Sequence, residues 1–110
     1  MEIKRGAVVI CVFPKSQGKP RPAVVVQSDL FNATHATVTL CPITGTVRDY
    51  PLFRIDVPPS RSNGLKKSSQ VMVDKIITIP HAHIGQVVGE VSAEQIRAIN
   101  SSLQLWLALE

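Results

Sequence analysis

Aromatic residues are scarce in this 110-residue chain: three Phe, one Tyr and one Trp make up 5% of it. So few rings cannot form the stacked platform on which many single-stranded nucleic acids are laid, so any base selection would fall to hydrogen bonds from loops. Cysteine is scarcer still. Cys11 and Cys41 both lie inside apolar runs, where a free thiol behaves as a small hydrophobe, and the absence of CxxC leaves structural zinc without support. There is no Gly-rich phosphate loop, no G-x-S-x-G elbow and no HExxH, which sets aside nucleotide hydrolysis and serine-hydrolase chemistry. The first apolar run, Ala7 to Phe13, is too short for a signal peptide's core plus cleavage site and far too short to span a bilayer. The expected location is the cytoplasm, with no membrane partner.

What is present describes one globular domain over residues 1–110, with 45% hydrophobic residues around a single modest core. Basic residues outnumber acidic ones by 12 to 8, and the net charge of +4 favours an anionic partner. Their placement says more than their number. Lys15, Lys19 and Arg21 crowd the first loop, and Arg61, Lys66 and Lys67 crowd a later one, so positive charge collects in loops as an electrostatic funnel requires.

Taken in order, Ala7 to Phe13 reads as a central strand, and the loop Pro14 to Pro20 leads to a second strand, Ala23 to Gln27. Ser28 or Asp29 starts at most one helical turn before a third strand, Ala36 to Cys41, which the Pro42-to-Thr46 segment closes. Leu52 to Val57 alternates as a strand with an Arg54/Asp56 face open to water. Pro58 to Gly64 is a turn-rich loop, and Gln70 to Val73 and Ile76 to Ile79 are two further extended pieces around Asp74-Lys75. Ser92 and Gln95 form a capping box, Val91 and Ile96 a hydrophobic staple, and Ile96, Ile99, Leu103 and Trp106 recur at helical spacing. Short strands ending in one amphipathic helix predict a mainly β fold with α, a small barrel with the helix packed on it.

Arg21 and Thr44 both fall where an apolar strand meets a polar loop. Pro22 holds Arg21 extended at the lip of its strand, and a fixed guanidinium suits phosphate recognition. The residues alone leave a plain alternative open, in which Arg21 bonds loop carbonyls and Thr44 makes a turn contact. His81-Ala82-His83 would put two imidazoles on one face if extended, but two ligands make a weak site and nothing places His35 beside them. No metal or other cofactor is expected.

The series Arg5-Gly6-Ala7-Val8-Val9, Ser16-Gln17-Gly18, Arg21 to Asp29 and Pro42-Ile43-Thr44 resembles the MazF/PemK family of toxin endoribonucleases. Val73-Asp74-Lys75-Ile76-Ile77-Thr78-Ile79 looks like that family's late strand, and Ile96 to Leu109 like its terminal helix, so the resemblance covers nearly the whole chain. It implies an SH3-like β-barrel of the MazF/Kid/CcdB kind with a C-terminal α-helix, a homodimer, a cognate antitoxin protein as partner and single-stranded RNA as substrate. It implies an arginine and threonine as the catalytic pair, matching Arg21 and Thr44, and RNA contacts at Ser16, Gln17, Lys19, Arg48, Lys66, Lys67 and Asp74. The first loop is about one residue shorter than the family's usual one. The arginine that the Kid-like branch places two residues before the late acidic position is Met72 here, so that version of the mechanism does not transfer.

The implied reaction is metal-independent: the ribose 2′-OH attacks the adjacent phosphorus, leaving a 2′,3′-cyclic phosphate and a 5′-OH. Arg21 suits stabilisation of the phosphoryl oxygens and is a poor proton shuttle, Thr44 suits orientation, and Asp74 is a candidate base or a base contact. Cleavage of mRNA by such a toxin would inhibit translation. Two rivals are a CcdB-like gyrase-binding toxin acting through its C-terminal helix and a non-catalytic nucleic-acid-binding barrel.

Overall fold

The valine-rich runs become strands, and glycines or prolines mark where they start. In the computed structural model, which describes residues 2–110, strand β1 (Ala7–Cys11) follows Gly6 and β2 (Arg21–Val25) follows Pro20. A single turn of helix, α1 (Asp29–Asn32), is capped by the Ser28 hydroxyl, which accepts from Leu30 N at 3.2 Å. Then come β3 (Thr37–Thr44), β4 (Arg54–Val57), β5 (Ser69–Met72), β6 (Ile77–Pro80), β7 (Ile84–Glu90) and the terminal helix α2 (Ala93–Trp106). All seven strands belong to one antiparallel sheet in the order β4-β5-β3-β2-β1-β7, with β6 also on β3. β4 and β7 end that path without pairing to each other, so the ladder does not close as a barrel's would.

β3 is the strand the others share. Leu40 to Pro42 pair with β2, while along the opposite edge Thr37 to Leu40 pair with β6 and Ile43 and Thr44 pair with β5. Between β5 and β6 the chain makes a 3₁₀ turn, Val73–Lys75, which leaves residues 41 and 42 without a ladder partner on that side. A residue with no N–H to donate is tolerated at such an interruption, which is why Pro42 does not end the strand as its sequence context suggested. The strand instead runs on to Thr44 and carries that side chain to its end.

Alternation along β3 splits the core into two layers. Cys41 and Ile43 join Val24, Val71, Ile99 and Leu103 beneath α2, whereas Val38 and Leu40 join Val9, Val25, Ile79 and Ile84 on the other face. The capping box at α2 forms as its spacing predicts: Gln95 N donates to Ser92 Oγ at 3.1 Å, and Ser92 N donates to Gln95 Oε1 at 2.8 Å. Strand β7 is the element that sequence patterning misses. Gly85 and Gly89 interrupt its alternation, and Gln86 and Val87 are exposed.

The loop after β4 is tied across the end of β7. Asn63 is buried; its Nδ2 donates to Pro58 O at 2.8 Å, and its Oδ1 accepts from Ser60 N at 3.0 Å and Leu65 N at 2.9 Å. Glu90 N donates to Ser62 O at 2.8 Å. Gly64 sits at φ +69, where a Cβ would collide with the Val88 carbonyl oxygen. Gly64→Ala is therefore expected to destabilise the fold by roughly 2 kcal/mol or more, read from the urea midpoint. A midpoint equal to wild type would show that the loop does not need its close approach to β7.

Candidate active site

Four of the sequence-predicted residues come together. Arg21 opens β2, Thr44 closes β3, and Lys66 and Lys67 lie in the segment entering β5; all line one groove of about 660 Å³. Phe13, Pro22, Pro42 and Met72 supply its apolar lining, and none of the lining residues is a carboxylate. Three cations facing a groove without an anion make a site for a negatively charged ligand. The Met72 side chain occupies the place where the Kid-like pattern would have put a further cation.

Arg21 is held by its backbone and left free at its tip. It pairs with Cys11 across the β1–β2 ladder, its carbonyl accepts a weak bond from Cys11 Sγ at 3.6 Å, and Pro22 restricts it to extended geometry. Among the described residues its guanidinium makes no hydrogen bond or ion pair, and the residue is exposed. The alternative in which Arg21 is spent on loop carbonyls is therefore not what the fold does. Thr44 is arranged differently. Its Oγ1 accepts from Thr46 N at 3.1 Å, which fixes the oxygen and leaves the hydroxyl proton to be donated into the groove.

The other predicted residues lie elsewhere. Ser16 Oγ donates to Phe13 O at 2.8 Å, and Gln17 at φ 55 with Gly18 at φ 80 turns the loop back, so Ser16, Gln17 and Lys19 flank the groove without lining it. That loop leaves from Phe13 and returns at Arg21, both of which do line it. Arg48 faces a separate recess of about 310 Å³ with Tyr50 and Arg54. Asp74 sits in the 3₁₀ turn outside the groove, its Oδ1 buried without a partner among the described residues. His81 and His83 belong to a 3₁₀ turn, not to an extended strand, so the one-face pairing does not arise. No group of three potential metal ligands occurs among the described residues. Burial raises the Cys11 thiol to about 11 and the Cys41 thiol to about 12, so neither is a ready nucleophile.

Residues 4–107 match the family described as "PemK-like, MazF-like toxin of type II toxin-antitoxin system". The chain belongs to that family. Among its relatives is the "Probable endoribonuclease MazF" of Mycolicibacterium smegmatis, 36% identical over 92 residues, 84% of either chain. Bacillus subtilis "Endoribonuclease EndoA" is 26% identical, with 99% of this chain and 97% of that protein covered. Among solved structures, a mycobacterial endoribonuclease in complex with its cognate antitoxin superposes with a TM-score of 0.83 at 27% identity, covering 99% of this chain and 98% of that one. The open seven-stranded sheet and terminal helix are thus the fold of MazF-like toxins.

Sequence reasoning missed the residue that braces this MazF-like groove from below. Gln70 is buried, lies opposite Thr44 in the β3–β5 register and spends all its bonding capacity. Its Oε1 accepts from Arg48 N at 3.0 Å and Arg54 Nη1 at 2.9 Å, and its Nε2 donates to Arg48 O at 3.0 Å and Asp56 Oδ1 at 2.9 Å. Asp56 is exposed, as the alternation predicts, and Arg54 is half-buried; both also bond this amide. Arg54 Nη1 also donates to Thr46 O at 3.0 Å, which ties the network to the turn that follows Thr44. The one available sequence signal was a polar residue heading an apolar strand. Gln70→Leu, which strands four polar partners, should cost about 2–4 kcal/mol of stability by denaturant melting. A change within about 0.5 kcal/mol would mean that the network braces nothing.

Proposed function

We propose that this toxin is a sequence-specific endoribonuclease that cleaves single-stranded RNA by transesterification, with Arg21 and Thr44 as its catalytic pair. The observation that carries this reading is the unpartnered Arg21 guanidinium at the mouth of a groove with three cations and no carboxylate, shared with a threonine whose proton is free. The ribose O2′ forms a bond to the adjacent phosphorus as the P–O5′ bond breaks. The 2′ proton passes to solvent water, a water proton goes to the departing 5′ oxygen, and the products are a 2′,3′-cyclic phosphate and a 5′-OH.

Arg21 makes paired hydrogen bonds to the two non-bridging oxygens, where charge accumulates in the transition state, and its permanent charge suits that task and no proton transfer. Thr44 donates to a phosphoryl oxygen or to the 2′ oxygen and sets the line of attack. The nucleophile arrives with the substrate and the charge falls to side chains of the chain itself, so no step is assigned to a metal. Unpaired RNA is the substrate because in-line attack needs backbone freedom, and the first loop, with Gln17 and Lys19, lies where flanking nucleotides would pass. The substrate is mRNA in the cytoplasm and the consequence is arrested translation. In this reading the open sheet curls in the manner of an SH3-like barrel. The protein pairs as a homodimer, and an antitoxin silences it, as the complex known for a mycobacterial relative suggests. No helix among the described residues is long and apolar enough to cross a membrane.

Incubating the purified protein with a long unpaired RNA and a chelator should yield defined cuts bearing cyclic phosphate and 5′-OH ends. Arg21→Ala should lower the rate by on the order of 10²-fold or more, and Thr44→Ala by less. Uncut RNA, cuts that require a divalent ion, or wild-type rates from a folded Arg21→Ala variant would each contradict the proposal.

A further inference from the structure

Gly45 follows Thr44, and its backbone does not require a glycine: the glycines with positive φ are Gly6, Gly18 and Gly64. What a side chain there would meet is the tail of Lys67. A Cβ on Gly45 would overlap Lys67 Cε and lie 2.6 Å from its Nζ, so the lysine tail rests across the bare Cα with its ammonium against the Thr44–Thr46 turn. Gly18 is the opposite case, with a positive φ and nothing within 4 Å of a built Cβ. The backbone end of Lys67 is held, since its carbonyl accepts from the buried Ser69 Oγ at 2.9 Å, while its side chain is exposed and pairs with no anion among the described residues. The only ion pair among the described residues is Lys4 with Glu2.

The geometry points to Lys67 as a second catalytic cation of the groove, contacting the phosphodiester beside Arg21, and to Gly45 as the positioning residue that seats it. This rests on the ribonuclease reading and deepens it. Arg21 reaches the phosphate from β2 and Lys67 from across the Thr44 turn, so the two charges arrive from different elements and can bracket one phosphodiester. A compact ammonium fits a notch the size of a missing methyl, which a planar guanidinium would overfill.

The test combines cleavage of natural RNA with the salt dependence of binding to a short random-sequence oligonucleotide whose riboses are all 2′-O-methylated, which blocks the nucleophile. Lys67→Ala and Gly45→Ala should each lower cleavage by on the order of 10- to 100-fold. Each should also reduce the slope of log affinity against log salt by about 0.7, the value for one lost phosphate contact on a single strand. Because both act through one ammonium, the double variant should be no worse than Lys67→Ala alone. Gly45→Ala displaces only the end of a flexible side chain, and an unchanged melting temperature verifies its fold. A wild-type slope in Lys67→Ala, wild-type cleavage and slope in Gly45→Ala, or fully additive effects would overturn the inference. Reduced slopes in the two variants of a protein whose wild type cuts no RNA would uphold the Lys67 contact and sink the ribonuclease reading, whereas wild-type cleavage with unchanged slopes in the variants would do the reverse.

Discussion

A guanidinium left without a partner among the described residues is the feature on which the rest of this structure turns. Arginine side chains at strand ends ordinarily find a carbonyl or a carboxylate, because an unsatisfied charge gains from any nearby partner. Here the backbone of Arg21 is fixed by the β1–β2 ladder and by Pro22, and the groove beside it offers cations, a hydroxyl and apolar carbon but no anion. Such an arrangement costs stability through like-charge repulsion and is relieved when a phosphate enters. The groove is thus built to be completed by its ligand.

The fold delivers that groove through one shared strand. β3 carries β2 on one edge and both β6 and β5 on the other, and the 3₁₀ turn at Val73–Lys75 is the break that lets two strands share the second edge. Thr44 therefore ends β3 between the strand that begins with Arg21 and the strand that follows Lys66 and Lys67. Gln70 fastens the loop after Thr44 from beneath, and the Glu90–Ser62 backbone bond and the close approach of Gly64 to Val88 fasten the lysine segment to β7. The groove is a meeting of strand ends, each with its own brace, and the core beneath it is ordinary aliphatic packing.

Much of this was legible in the residues, and the part that was not has physical reasons. The first two strands and the capped helix could be read because β-branched runs and a Ser-x-x-Gln box are local signals. Pro42 misled because its tolerance depends on a gap in a neighbouring strand 30 residues away in sequence, at 73–75. β7 was lost because two glycines erase its alternation, of which Gly89 lies in close contact with Ser62 and Asn63. Arg21 and Thr44, singled out for their position at strand–loop junctions and by family resemblance, do line one groove. Gln70 escaped because it acts through a buried amide, which leaves no pattern in a single sequence. Asp74 and Arg48 drew attention as charges, yet tertiary folding sends both away from the groove.

The most direct measurement is of the Arg21 guanidinium itself, followed by its side-chain ¹⁵N–¹H resonances while a 2′-O-methylated single-stranded RNA is added. Binding should shift and sharpen the Arg21 signals in step with those of Thr44, as a free, rapidly exchanging group becomes fixed on a phosphate. RNA that binds while Arg21 remains unperturbed would contradict the account.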